Sequence, residues 1–215
     1  MDNNEIQLRN QVMSGARSLY DVLTELGVKI ETESKIEKWA GKMSFDKNIE
    51  SGCNITLLAS QLTHKINKNF PNQYNVIFYR HLAKYVPQDI YDQMIKMALE
   101  NIEERKKEKN LIQFNQVKVE NCECSLDELK EGNIGIGLFV RESVIKAQTP
   151  VESILNCWNQ KTSGQNLYYM MIKKTKDGVY AYDAHKSYQV LNNQILLDEH
   201  YLYSGIAMIV SKEEN

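Results

Sequence analysis

Three side chains of this sequence have the chemistry of a nucleophilic site. Cys53 stands at the predicted start of a helix, in "ESGCNITLLASQLTHKI", where free backbone N–H groups and the helix dipole lower the pKa of a thiol. Asp183 and His185 are two residues apart in "VYAYDAHKSY", and on a strand both side chains point to one face. A carboxylate beside an imidazole raises its basicity and fixes its orientation. Together they are the parts of a cysteine hydrolase.

Each of these features also has a plainer interpretation. Cys53 could be a small buried residue at the start of a helix, and both Ser51 and Asn54 are candidate N-caps of that helix. Asp183 and His185 could be two hydrated polar residues at the end of a strand. Because nucleophile and base lie far apart in the sequence, the residues alone leave these alternatives open.

The other cysteines and histidines are weaker candidates. Cys157, in "NCWNQ", has the Cys-Trp pair seen after papain-type nucleophiles, but it lies late in its predicted helix. Cys122 and Cys124 are separated by one residue and have no matching second pair, which does not favour a zinc site. His64 follows Cys53 on the same predicted helix at a spacing that argues against contact. We therefore predict no metal and no other cofactor.

The composition is that of an ordinary globular protein. Of 215 residues, 25% are charged and 42% are hydrophobic, and the net charge of −2 argues against a general nucleic-acid-binding surface. No apolar stretch approaches the roughly 20 residues of a membrane span. The start, "MDNNEIQLRN", lacks the apolar region of a secretory signal, and the four cysteines are interpreted as reduced thiols. We predict a cytoplasmic protein that binds neither nucleic acid nor membranes; its oligomeric state stays open.

Helical patterns dominate the first half of the chain. Apolar residues recur at the helical period from Ile6 to Leu26, and Gly27 is a natural stop. A shorter helix is predicted in "ESKIEKWAGKM", and another follows Cys53. A long amphipathic helix is predicted from Pro87 to about residue 109.

Strand patterns dominate the second half. "FNQVKVENCE" alternates as a strand, "NIGIGLFVRE" has the pattern of a buried strand, and Asp177-Gly178 predicts a hairpin turn. A short helix is expected in "SLDELKEG", which has a Ser125-x-x-Glu128 capping box, and a turn at 192–193 precedes the last strand. The predicted fold class is α+β, with a helical N-terminal half packed on a mostly antiparallel sheet from the C-terminal half.

Parts of the sequence also resemble a known family. The segments "SILNCWNQ", "LYYMMIKKTKDGVYAYDAHKSYQV" and "SGIAMIVS" are similar to the C-terminal part of herpesvirus tegument-type deubiquitinases, and "SGCNITLLASQL" is similar to their nucleophile helix. The resemblance covers about residues 50–70 and 150–211. It implies a papain-like fold, with residues 1–48 as an N-terminal helical segment and residues 49–215 as the papain-like α+β domain.

The resemblance implies a cysteine protease that hydrolyses peptide or isopeptide bonds of ubiquitin or a ubiquitin-like protein. Cys53 would be the nucleophile, His185 the general base and Asp183 the residue that orients it. Such enzymes place a glutamine before the nucleophile as an oxyanion donor, whereas residues 36–52 contain none, so Asn48 or the backbone N–H of Cys53 would serve instead. This departure favours the alternative function, a catalytically inactive interaction or scaffold protein that docks partners through its N-terminal helices.

Overall fold

A computed structural model of the chain describes residues 12–30, 34–44, 52–80, 117–120, 122–145, 167–183, 186–197 and 200–213. Several predicted features lie outside these residues. They are the long helix from Pro87 to about 109, the helix that holds Cys157, and two residues of the candidate site, Asn48 and His185. The statements made about them above therefore stay predictions.

Eight strands form one sheet in the described part of the chain. They are β1 (Tyr74–Tyr79), β2 (Lys118–Glu120), β3 (Ile134–Arg141), β4 (Leu167–Thr175), β5 (Gly178–Asp183), β6 (Lys186–Gln189), β7 (Gln194–Leu196) and β8 (His200–Lys212). Their order is β2-β1-β8-β3-β4-β5-β6, with β7 paired to β8 outside this path. The pairs are antiparallel apart from β1 and β2, which are parallel. The sheet is therefore mostly antiparallel.

Among the residues that the structure describes, three helices of ten or more residues form a layer on one face of this sheet, and a single-turn helix follows β3. They are α1 (Ser14–Glu25), α2 (Ser34–Met43), α3 (Ile55–Asn69) and the short α4 (Glu142–Ile145). Helix α1 contacts β3, β4 and β5 as well as the other two long helices, whereas α3 contacts β1. Because α1 touches both other long helices and the middle of the sheet, it is the central helix of this layer.

Helix α1 ends where its sequence predicts. Gly27 has a φ of 86°, a left-handed conformation that glycine adopts without steric cost. Its N–H donates to the carbonyl of Thr24 at 2.9 Å, and the N–H of Val28 donates to the carbonyl of Leu23 at 2.9 Å. These two hydrogen bonds form a Schellman motif, which satisfies the last carbonyl groups of the helix.

The sheet has an apolar core on each face. Strand alternation sends Ile136 and Leu138 to the face covered by the long helices, here called the helical face, and sends Phe139 to the opposite face. In β5, Val179 and Ala181 pack on the opposite face, while Tyr182 packs on the helical face. A residue's position in its strand therefore decides which of the two cores it can reach.

Several sequence predictions are confirmed by this arrangement. The chain combines helices with a mostly antiparallel sheet, so the α+β class holds. The turn at Asp177-Gly178 joins β4 to β5, where Thr175 pairs with Gly178. The predicted turn at Asn192-Asn193 lies between Leu191 and β7, and both asparagines have positive φ.

Two details of the prediction are wrong. The segment 125–132 forms turns and no helix, with the N–H of Glu128 donating to the carbonyl of Ser125 at 3.3 Å. A capping box is a local signal, and so short a segment cannot offset the cost of starting a helix. The C-terminal half also does not supply the whole sheet, because β1 lies at Tyr74–Tyr79 and pairs with both β2 and β8.

The helices of the first 48 residues share one core with the sheet. Leu19 of α1, Met43 of α2 and Ile136 of β3 belong to the same buried cluster. Since the cluster is continuous, α1 and α2 are part of the body that carries the candidate site. No helix in the described ranges is long and apolar enough to cross a membrane.

Candidate functional site

Cys53 lies immediately before the N-cap of α3. The N-cap is Asn54, one of the two residues that the sequence offered, and its side chain accepts hydrogen bonds from the N–H groups of Thr56 at 2.9 Å and Leu57 at 3.2 Å. Gly52, with a φ of 75°, lets the chain turn toward the helix. Cys53 is therefore one residue outside the helix, and the first-turn amide groups are engaged by the cap rather than by a thiolate.

The thiol of Cys53 is buried in the core of the helical face. Cys53 is 8% exposed, and its Sγ donates a hydrogen bond to the carbonyl of Asn54 at 3.7 Å. Gly15 of α1 packs directly over it, because a Cβ at position 15 would lie 2.7 Å from this Sγ. Burial raises the pKa of the Cys53 thiol well above its usual range. The structure thus favours a protonated, shielded thiol, whereas a nucleophile needs an accessible thiolate.

Tyr169 of β4 ties this region to the sheet. Its hydroxyl donates to the carbonyl of Cys53 at 3.1 Å, and its backbone N–H donates to Oγ of Ser14 at 3.1 Å. Burial raises the pKa of Tyr169 well above its ordinary value, so the hydroxyl keeps its proton and acts as a donor. Cys53 therefore stands at a junction where α1, β4 and the start of α3 meet.

Asp183 is the last residue of β5. Its side chain is half-buried and belongs to neither apolar core. Its carboxylate is hydrogen-bonded by Tyr168, whose own pKa is raised, chiefly by burial and further by Asp183. Among the described residues, no hydrogen bond or electrostatic interaction joins Asp183 to Cys53.

A second carboxyl group, which the sequence analysis did not single out, interacts with Asp183. The pKa of Asp21 on α1 is raised from 3.8 to about 7, chiefly by burial, with Asp183 adding to the rise and Arg17 opposing it. Arg17 and Asp21 are four residues apart and therefore lie on one side of α1. That spacing was visible in the sequence, but the approach of β5 to this side of the helix was not.

Of the four predicted site residues, the structure describes two, Cys53 and Asp183. His185 and Asn48 lie outside the described residues, so their roles as general base and oxyanion donor stay predictions. The catalytic roles of Cys53 and Asp183 likewise stay predictions.

No metal centre emerges among the residues that the structure describes, because no group of three or more His, Cys, Asp and Glu side chains could hold an ion there. Cys122 is exposed and Cys124 is buried, and burial raises the pKa of Cys124 to about 11. Both thiols line an open cleft of about 880 Å³ between β1, β8 and the segment 122–133. Tyr79 and Glu128 add a hydroxyl and a carboxylate to the lining of this cleft.

Comparison of the chain with protein-family models, with curated proteins and with solved structures gave no match.

Proposed function

We propose that this protein is a catalytically inactive interaction protein that docks partners through its N-terminal helices. One observation carries the proposal: the thiol of Cys53 is buried beneath Gly15, and this burial raises its pKa. A cysteine hydrolase depends on a thiolate that a substrate carbonyl can reach. The absence of a glutamine in residues 36–52 supports the same conclusion.

The position of Asp183 also supports a non-catalytic protein. Its carboxylate accepts a hydrogen bond from Tyr168 and interacts with the carboxyl of Asp21. In a triad the orienting acid and the nucleophile lie on either side of one imidazole. The hydrogen bond from Tyr168 competes with the imidazole that Asp183 would have to orient.

A cysteine protease of papain-like fold, acting in the cytoplasm on ubiquitin or a ubiquitin-like protein, is the second candidate function. Two observations favour it. Cys53 directly precedes the cap of α3, after a glycine with positive φ, so it lies at the positive end of the helix dipole. Asp183 ends its strand two residues before His185. In this function Cys53, His185, Asp183 and Asn48 keep the roles that the resemblance implies.

Labelling with a ubiquitin probe that carries a C-terminal electrophile separates the two functions. The interaction protein is expected to form no covalent adduct, in the wild type or in Cys53→Ala. A wild-type adduct that is absent in Cys53→Ala, and much weaker in His185→Ala, would establish the hydrolase and overturn the proposal. Cys122→Ser is the matched control, because it removes an exposed thiol outside the candidate site.

A further inference from the structure

A lysine-rich cleft lies between the three N-terminal helices. It has a volume of about 330 Å³ and is bounded by the segment after α1, by α2 and by the C-terminal half of α3. Six lysines line it: Lys29, Lys35, Lys38, Lys42, Lys65 and Lys68. None of the described residues that line the cleft is acidic. The whole chain carries a net charge of −2, so this concentration of positive charge is a local feature.

The helical spacing of these lysines explains why they converge. Lys35, Lys38 and Lys42 recur at intervals of three and four residues, which places them on one side of α2. Lys65 and Lys68 are likewise three residues apart on α3. Two rows of ammonium groups therefore face one cleft from two different helices, and the packing of these helices keeps the rows in place.

Trp39 forms the apolar floor beneath these charges. Its side chain is 8% exposed, and Nζ of Lys65 lies 5.3 Å from the centre of its ring. A cation at this distance from an indole is attracted by the electrons of the ring face. Because Lys65 covers Trp39, the ring is not free to stack on a nucleic-acid base. The accessible chemistry of the cleft is that of its ammonium groups.

The lysines influence one another across the cleft. Burial lowers the pKa of Lys65, and the charges of Lys68, Lys42 and Lys35 lower it further. The pKa of His64 is also lowered, by burial and then by Lys65 and Lys68. Repulsion among these groups disfavours their charged forms, and a bound anion would relieve it. The cleft is therefore electrostatically complementary to a ligand with several negative charges.

We propose that the cleft between α2 and α3 binds a compact polyphosphate, a cluster of phosphate groups carried by a small molecule. The volume of about 330 Å³ falls at the small end of ligand sites, which span about 300–1,000 Å³. Lysine ammonium groups are compact charges that bind phosphate without the fixed fork geometry of arginine. The proposal rests on the proposed function only in placing the binding surface on the N-terminal helices.

Nucleoside triphosphates and inositol polyphosphates both present this chemistry. If the cleft contacts only the phosphate groups of a ligand, the affinity depends on the number of phosphates and not on the group that carries the phosphates. Inorganic tripolyphosphate is therefore expected to bind about as well as a nucleoside triphosphate, and inositol hexakisphosphate more tightly, because it brings more charges into the cleft. A strong preference for the nucleoside triphosphate over tripolyphosphate would contradict this mode of binding.

Titration calorimetry with inorganic tripolyphosphate on the full chain tests the proposal. Lys38→Glu combined with Lys68→Glu is expected to weaken binding by about tenfold or more, since each change replaces attraction by repulsion. Both side chains are exposed, so their replacement should leave the fold intact, which circular dichroism would verify. The control is Lys176→Glu combined with Lys186→Glu, which makes the same change of charge at exposed positions outside the cleft. This control variant should change the affinity for tripolyphosphate by no more than about twofold, because its charges act on the cleft only over long distances, where salt screens them.

Three outcomes would overturn the proposal: no heat of binding with any of the three phosphate compounds, equal loss of affinity in the two double variants, or binding only of long single-stranded DNA. The last would indicate an extended nucleic-acid surface. Failure here is distinguishable from failure of the proposed function, which is decided by adduct formation at Cys53 and not by phosphate binding.

Discussion

Gly15 of α1 and Cys53, just before α3, are in direct contact. A Cβ placed on Gly15 would lie 2.7 Å from Sγ of Cys53 and 2.8 Å from its Cβ, closer than real side chains approach each other. This contact allows the first and third helices to pack closely, and it seals the thiol from solvent.

Replacing Gly15 by alanine should destabilise the protein. Alanine normally stabilises the interior of a helix relative to glycine by about 0.5–1 kcal/mol, but the added methyl group collides here with a buried neighbour. Overpacking of this kind costs about 1–3 kcal/mol, which urea denaturation would measure.

The Cys53→Gly variant provides the control for this prediction. It removes the two nearest atoms that the new methyl group would meet and leaves only Cδ2 of Leu58 at 3.3 Å, so Gly15→Ala should cost less in the Cys53→Gly background than in the wild type. Equal costs in the two backgrounds would show that the two residues are not in contact.

Alkylation should distinguish the cysteines of the described structure. Iodoacetamide reacts with thiolates, and burial both hides Cys53 and raises the pKa of its thiol. Mass spectrometry of the native protein is therefore expected to show modification at the exposed Cys122 well before any at Cys53. The two should react at similar rates after denaturation in urea. Rapid native modification of Cys53 would support the hydrolase instead.

Removing the hydroxyl of Tyr169 should weaken the junction between β4 and α3. Tyr169→Phe loses the hydrogen bond to the carbonyl of Cys53 and leaves a buried acceptor without this donor. The expected loss of unfolding free energy is about 1–2 kcal/mol. Tyr180→Phe, at a half-buried position on β5, is the matched control and should be nearly neutral. A neutral Tyr169→Phe would mean that water replaces the hydroxyl.

The stability of the protein should fall as the pH rises through 7, and Asp21 should account for part of this change. Its pKa is raised from 3.8 to about 7, so the folded state binds a proton that the unfolded state has released. The stabilisation is complete below pH 3.8 and is lost as the pH rises through about 7. Asp21→Asn removes the titrating group, so denaturant unfolding at pH 5 and pH 8 should give free energies that differ less than in the wild type.

Asp127→Asn is the control for this pH dependence, because Asp127 is exposed. This variant should keep the wild-type difference between the two pH values. An unchanged difference in Asp21→Asn would show that the carboxyl of Asp21 is ionised throughout, with Arg17 outweighing burial and Asp183.

Patterns local to one stretch of chain were predicted well. The helical period located α1, α2 and α3, the glycine at 27 marked the end of α1, and Asp177-Gly178 marked the hairpin of β4 and β5. Each of these features depends on neighbours within a few residues. The short strand β7 was missed, because three residues carry too little alternation to be recognised.

Features that join distant parts of the chain were not predicted. Nothing around Cys53 in the sequence indicates that Gly15 covers its thiol or that Tyr169 binds its carbonyl. The spacing of the lysines on α2 and on α3 was visible in the sequence. That these lysines line one cleft around Trp39 depends on how the two helices pack.

The sequence by itself determined the α+β class, the places of the main helices and the hairpin, because hydrophobic period, caps and turn residues act over short distances. Only the tertiary structure decided which side chains share an environment. In the folded protein Cys53 is buried, and Asp183 interacts with Tyr168 and with the carboxyl of Asp21. Six lysines from three separate segments line one cleft. The physical reason is that burial and charge proximity set the chemistry of a side chain, and both depend on residues that are remote in sequence.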